Sequence, residues 1–172
     1  MRFKELGITL LTIFLFFACF VATNAQTKRK SKPVKKTKTL ITQKQVLIPH
    51  TSELQSLLKA SIADFANAIR QEDFTVLHTK ASKDFQASHS ALQVKNTFQF
   101  YIDKKDLVLP SLDAVSKTTA SFSVIPYIRT EKGYKILVLT GEFPTEPYTI
   151  NFENEYELEN GVWKLLKIRI AM

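Results

Sequence analysis

The sequence predicts an α+β domain in which helices come first and an antiparallel sheet follows. Two observations carry this: apolar residues recur at helical spacing between residues 54 and 69, and beyond residue 110 the chain turns to short β-rich runs divided by tight turns. A third sets the domain's extent. Residues 28–44 hold eight basic side chains (Lys28, Arg29, Lys30, Lys32, Lys35, Lys36, Lys38, Lys44) and no acid, whereas from residue 45 onward 14 basic residues face 15 acidic ones. The formal charge of +8 therefore belongs to a tail, and the domain is near neutral. With 172 residues, 45% of them hydrophobic, the chain suffices for one core of ordinary size and is short for two.

Residues 1–25 read as an export signal. A charged start (Arg2, Lys4, Glu5) precedes an apolar run over 7–22, and Thr23-Asn24-Ala25 places small residues where a signal peptidase accepts them, so cleavage is expected after Ala25. The expected destination is the periplasm or beyond. Two other readings compete: an uncleaved anchor through residues 7–22, slightly short of the ~20 residues a spanning helix needs, and a lipoprotein at Cys19, where "LFFAC" sets two Phe in place of smaller residues. The positive charges that follow the apolar run oppose translocation. Cys19 is the only cysteine, so the processed chain would hold no disulfide.

Residues 26–50 form a basic linker. "TKRKSKPVKKTKT" has one apolar side chain and no periodicity, a composition that does not offset the entropy of ordering. It reads either as a solvated spacer or as an adhesive for an anionic envelope surface through residues 28–44. No aromatic residues are interleaved for base stacking, so specific nucleic-acid recognition is not expected.

The domain spans residues 51–172. Ser52 and Gln55 suggest a capping box, after which Leu54, Leu57, Leu58, Ile62, Phe65 and Ile69 share a helix face as far as Arg70. Asp73 can cap a short second helix carrying Phe74 and Leu77. After a polar stretch, Ser90 opens a third with Val94, Phe98, Tyr101 and Ile102 on one face. Beyond Pro110, strands are expected in "ASFSVIPYI", confined to an edge or bulge by Pro126, then in "YKILVLTGEF", "YTINFENEYEL" and "VWKLLKIRI".

Side-chain matching suggests the register. A three-residue loop, Glu159-Asn160-Gly161, sets Phe152 against Ile168 and Glu153 against Lys167, whereas a two-residue loop would set Phe152 against Arg169. A four-residue turn from Pro144 to Pro147 sets Leu139 against Phe152. One face then carries Leu137, Leu139, Phe143, Tyr148, Ile150, Phe152, Tyr156, Leu166, Ile168 and Ile170 and should meet the helices. The other carries Ile136, Val138, Trp163 and Leu165 among charges, the composition of a partly covered surface such as a homodimer contact.

"AIRQEDFTVLH", "FQFYIDKKDL" and above all "LTGEFPTEPYTINFENEYELENGVWKL" resemble small secreted bacterial members of the nuclear transport factor 2-like superfamily, over residues 52–172. The resemblance implies a strongly curved antiparallel sheet wrapped around helices as an open cone, often dimeric through its sheet. It covers steroid isomerases, dehydratases, polyketide cyclases and non-catalytic proteins, so it leaves the chemistry open.

The residues give little sign of catalysis. His50 falls in the linker, His78 at the end of the second helix and His89 in a polar loop, and none lies on a strand lining the cone. Glu153, Glu155 and Glu157 are expected on the outer face as a solvated ladder with Lys164, Lys167 and Arg169, while Asp84 and Asp103 flank helices. No metal-ligand spacing, phosphate-binding glycine loop or nucleophile elbow is present, and no cofactor is expected. The polar groups expected inside are Tyr148, Asn154 and Tyr156, with Tyr101 opposite; they either satisfy one another or line a small apolar pocket. The leading expectation is an exported binding or interaction module for a small apolar or amphipathic ligand or a protein partner. A small isomerase or hydro-lyase using an inward carboxylate is the alternative, and a dimeric scaffold with a filled cone the third.

Overall fold

The computed structural model describes residues 46–172. The export signal with its cleavage after Ala25, the 7–22 anchor, Cys19 and the basic linker as far as residue 45 lie outside the described residues. Among those described, no helix is long and apolar enough to cross a membrane.

Residues 46–50 lead without regular structure into α1 (Thr51–Gln71). The capping differs from the expected Ser52 box: the Glu53 carboxylate accepts the His50 backbone N–H at 3.2 Å. The Gln55 side chain instead clasps Ala120, donating to its carbonyl at 2.9 Å and accepting its N–H at 2.8 Å. Leu54, Leu58, Ile62, Phe65 and Ile69 are buried, as their spacing predicts. The helix stops at Glu72, whose left-handed φ of 55° turns its N–H back onto the Ala68 and Ile69 carbonyls.

Asp73 accepts the Thr75 N–H at 2.9 Å and so opens α2 (Thr75–Lys80). The stretch read as polar loop contains α3 (Lys83–Ser88), capped by Ser82 and anchored by buried Phe85. Ser90 caps α4 (Ala91–Thr97) as expected, but the helix breaks at Phe98 and resumes as α5 (Gln99–Asp103). Helix then continues beyond Pro110: α6 (Lys105–Ala114) runs through it, followed by a 3₁₀ turn over Val115–Lys117 just before the first expected strand run. An internal proline costs roughly 3 kcal/mol. Burial of Val108, Leu112 and Val115 against α1, with an Arg70–Asp113 ion pair at 2.7 Å, holds the segment helical in spite of it.

The sheet is antiparallel, curled and not closed; α1 packs on one side of it, and α3 sits at the Val162–Lys167 edge. Its strands are β1 (Ser121–Phe122), β2 (Tyr127–Glu131), β3 (Tyr134–Phe143), β4 (Ile150–Glu159), β5 (Val162–Lys167) and β6 (Ile170–Ala171). Pro126 divides the first expected run, and β1 and β2 both pair with β3. β4 lies between β3 on one side and β5 and β6 on the other.

Both expected turns are corrected. Glu159 pairs with Val162, so the β4–β5 loop is the two residues Asn160-Gly161, at φ of 50° and 83°. Such a pair of left-handed residues matches the twist of the flanking strands. The clash that argued against it is removed by a bulge: Tyr156 faces Leu165, Glu155 faces Lys167, and Leu166 is the extra residue. Phe152 then meets Ile170 rather than Arg169. The β3–β4 connection is six residues, 144–149, which pairs Gly141 with Phe152 and Leu139 with Asn154.

The first correction reverses β5 ahead of the bulge. Trp163 pairs with Leu158 and Leu165 with Tyr156, so both share the helix-facing side, where Leu165 is buried in the core and Trp163 packs against it. Ile136 and Val138 stay on the opposite side, facing Glu157 and Glu155. The four residues expected as one dimer face are thus split between the two sides of the sheet.

Candidate functional site

Aromatic rings pack between the helices and the sheet. Around Phe65 the ring centroids of Phe98, Tyr101 and Phe74 lie at 4.8, 5.8 and 6.2 Å, all edge to face, and Phe143 and Phe152 meet at 5.4 Å beneath the sheet. Alternation along β3 and β4 presents Leu137, Leu139, Phe143, Ile150 and Phe152 to this core and puts no carboxylate there.

The four expected pocket residues separate into three places. Asn154 and Tyr156 are adjacent on β4 and fully buried. Asn154 Nδ2 donates to the Tyr156 hydroxyl at 3.2 Å, which donates to Ser61 Oγ at 3.0 Å, and Ser61 donates to the Leu57 carbonyl at 3.0 Å. This chain ties the sheet to α1, and Asn154 Oδ1 is its one atom left without a partner. Tyr101 is separate, donating to the Ile170 carbonyl at 2.7 Å. Tyr148 lies in the β3–β4 loop, 42% exposed, and its backbone N–H donates to Ser111 Oγ at 2.9 Å. The longer loop removes it from the inner face.

Burial pushes the Tyr156 hydroxyl up to about 12, against the smaller opposing pull of its bonds with Ser61 and Asn154. Below pH 10 the hydroxyl is neutral in both folded and unfolded chains. Between about pH 10 and 12 only the unfolded chain gives up this proton, so stability falls with rising pH, by roughly 2–3 kcal/mol across the window. Tyr156→Phe is expected to cost about 1–3 kcal/mol at pH 7 by stranding Ser61 and Asn154, and to flatten that alkaline loss. Urea denaturation of both proteins at pH 8 and 11 checks this; equal alkaline losses would exclude Tyr156 as their source.

Three surface features carry more chemistry than the interior. A groove of about 770 Å³ lies between the lead-in segment Leu47–Pro49, the first turns of α1 and the β4–β5 turn. Leu57 and Trp163 line it, and Leu47, Ile48 and Val162 are exposed at its lip. A smaller cleft of about 190 Å³ runs between α1 and β5, where Tyr156 and Ser61 are reached beside an Asp64–Lys80 ion pair at 2.7 Å.

The third lies on the other side of the sheet. There Arg129 bonds Glu155 at 2.8 Å and Glu131 at 3.2 Å, and Lys167 bridges Glu153 and Glu155. Lys167 holds the Glu153 carboxyl below the usual range, with help from Arg169. The expected ladder exists, but it is not uniformly solvated: Glu155 is 8% exposed and Glu157 only 3%. Glu157 borders a cleft of about 260 Å³ between α3 and the β2–β3 hairpin. The sequence reading missed this residue because α3, which covers it, was read as loop. The Ser82 N–H donates to the Leu165 carbonyl at 2.8 Å, seating α3 at the β5 bulge.

Of the histidines, His78 Nε2 bonds the His89 carbonyl at 2.6 Å, and His50 precedes α1 at the rim of the large groove. No group of three or more His, Cys, Asp or Glu among the described residues is arranged to hold a metal ion. Comparison of the chain with known protein families, with curated proteins and with solved structures finds no match.

Proposed function

We propose that this chain is an exported, non-catalytic binding module of the nuclear transport factor 2-like type, tethered by its basic tail, that takes a small amphipathic molecule in the groove beside Trp163. The observation that supports this most is the groove of about 770 Å³ at the surface, beside a core in which Phe65, Phe74, Phe98, Phe143 and Phe152 pack together. That volume lies within the range of about 300–1,000 Å³ usual for small-molecule sites. Its apolar lining of Leu57 and Trp163, with Val162 at the lip, suits a hydrocarbon body, and His50, Ser52 and Ser56 offer hydrogen bonds to a polar end. An enzyme working inside the cone would need a carboxylate or imidazole there; the inner face of β3 and β4 offers Asn154 and Tyr156 instead, and at the groove the Glu53 carboxylate is engaged in capping α1 through the His50 N–H.

Trp163 is the only tryptophan, so its emission reports on the groove directly. Titration with the amphipathic dye anilinonaphthalene sulfonate is expected to quench Trp163 saturably, with matching sensitised dye emission. Val162→Asp, at a position 54% exposed, is expected to weaken binding at least tenfold with an unchanged melting curve. Non-saturable quenching, or equal affinity in the variant, would remove the groove as the binding site.

A further inference from the structure

We propose that the cleft between α3 and the β2–β3 hairpin is a second binding site, for a small primary ammonium ligand held by the Glu157 carboxylate. The central observation is a buried acid with one unpartnered oxygen. Glu157 is 3% exposed and its Oε2 has no hydrogen-bond partner, although buried polar atoms nearly always find one. Lys164 stands opposite it in the β4–β5 ladder, yet no ion pair joins them. Burial pushes the Glu157 carboxyl up, and Asp84 and Glu159 push it further, with the Ser82 hydroxyl pulling weakly the other way. A cation placed in the cleft would oppose these upward effects by favouring the charged carboxylate.

The surrounding charges suit a single positive ligand. Arg129 is already engaged by Glu155 and Glu131, so its charge is compensated inside the wall. Of the remaining wall charges, Asp84 and Glu157 exceed Lys132 by one negative unit. Aromatic rings complete the fit: Phe85 and His89 lie 5.2 Å apart between centroids on the α3 side, and Tyr134 stands on the hairpin side. A carboxylate beside aromatic faces is the combination that holds a desolvated ammonium group. The volume of about 260 Å³ limits the occupant to a small amine.

The test is calorimetric titration of the whole chain with phenethylamine, and with phenethyl alcohol as its neutral counterpart, at fixed ionic strength. The amine is expected to bind saturably and the alcohol at least tenfold more weakly. Glu157→Gln keeps the shape and removes the charge, so it should lose at least tenfold in amine affinity while melting no lower than the parent. Tyr134→Ala, at a position 47% exposed, should weaken the amine independently of that buried change. Val162→Asp should leave amine binding intact, which separates this site from the groove beside Trp163. Equal binding of alcohol and amine, undiminished binding by Glu157→Gln, or absence of saturable heat with the parent would each overturn the proposal.

Discussion

Phe65→Ala is expected to destabilise the domain by about 3–5 kcal/mol, the range for removing a large aromatic side chain from a packed core. Phe65 is completely buried on α1 and touches three other rings, from Phe74, Phe98 and Tyr101, so its loss leaves a void bounded by groups that cannot all close over it. For a domain of this size the melting temperature should fall by roughly 10–20 °C. Thermal and urea unfolding followed by circular dichroism check both figures. A loss below about 1 kcal/mol would mean that these rings do not form the packed centre described above, and an interior pocket would again deserve consideration.

Gly141→Ala is expected to be nearly as damaging, by a different route. The strand passes so close to β1 that a Cβ at Gly141 would lie 2.0 Å from the Ser121 carbonyl oxygen and 2.9 Å from the Phe122 Cα. Both are backbone atoms and cannot rotate away, so β1 must leave its place against β3. The substitution also crowds the Phe152 ring, 3.0 Å from the same position. A cost of about 3 kcal/mol or more follows from overpacking at a site without a flexible neighbour. Hydrogen exchange gives the sharper readout: the Ser123 N–H, which donates to the Thr140 carbonyl at 3.0 Å, should lose its protection. Unchanged protection in a stable variant would contradict the pairing of β1 with β3.

The two variants probe parts of the fold that were legible to different degrees. Phe65 sits on a face readable from spacing alone, since a 3.6-residue repeat brings Leu58, Ile62, Phe65 and Ile69 together without reference to any other segment. Gly141 appeared in the sequence only as a residue within a strand; its role depends on where β1 lands. The same division runs through the surface sites. Trp163 is placed by alternation on an outer dimer face, whereas the groove beside it depends on Leu47–Pro49 and α1. Glu157 was read as a solvated acid because alternation placed it opposite the core face. That placement holds, and the burial comes from α3, about 70 residues earlier in the chain.

The β4–β5 hairpin shows the limit most clearly. Asn160-Gly161 marked the turn, and the alternating acids of β4 fixed which of its side chains face the helices. Matching of neighbours then favoured a three-residue loop, because a constant register with two residues sets Phe152 against Arg169. A single extra residue at Leu166 satisfies both the tight turn and the Phe152–Ile170 pairing, and it turns Trp163 and Leu165 toward the core. By itself the sequence determined the order of helices before sheet, the buried face of α1, the two faces of β3 and β4, and the concentration of basic charge ahead of a near-neutral domain. Tertiary structure alone decided the bulge, the side of the sheet that β5 presents, the six-residue loop that carries Tyr148 outward and the burial of Glu157. The physical reason is range: periodicity and turn chemistry act over a few neighbouring residues, whereas a bulge or a covered carboxylate depends on which distant segment packs there.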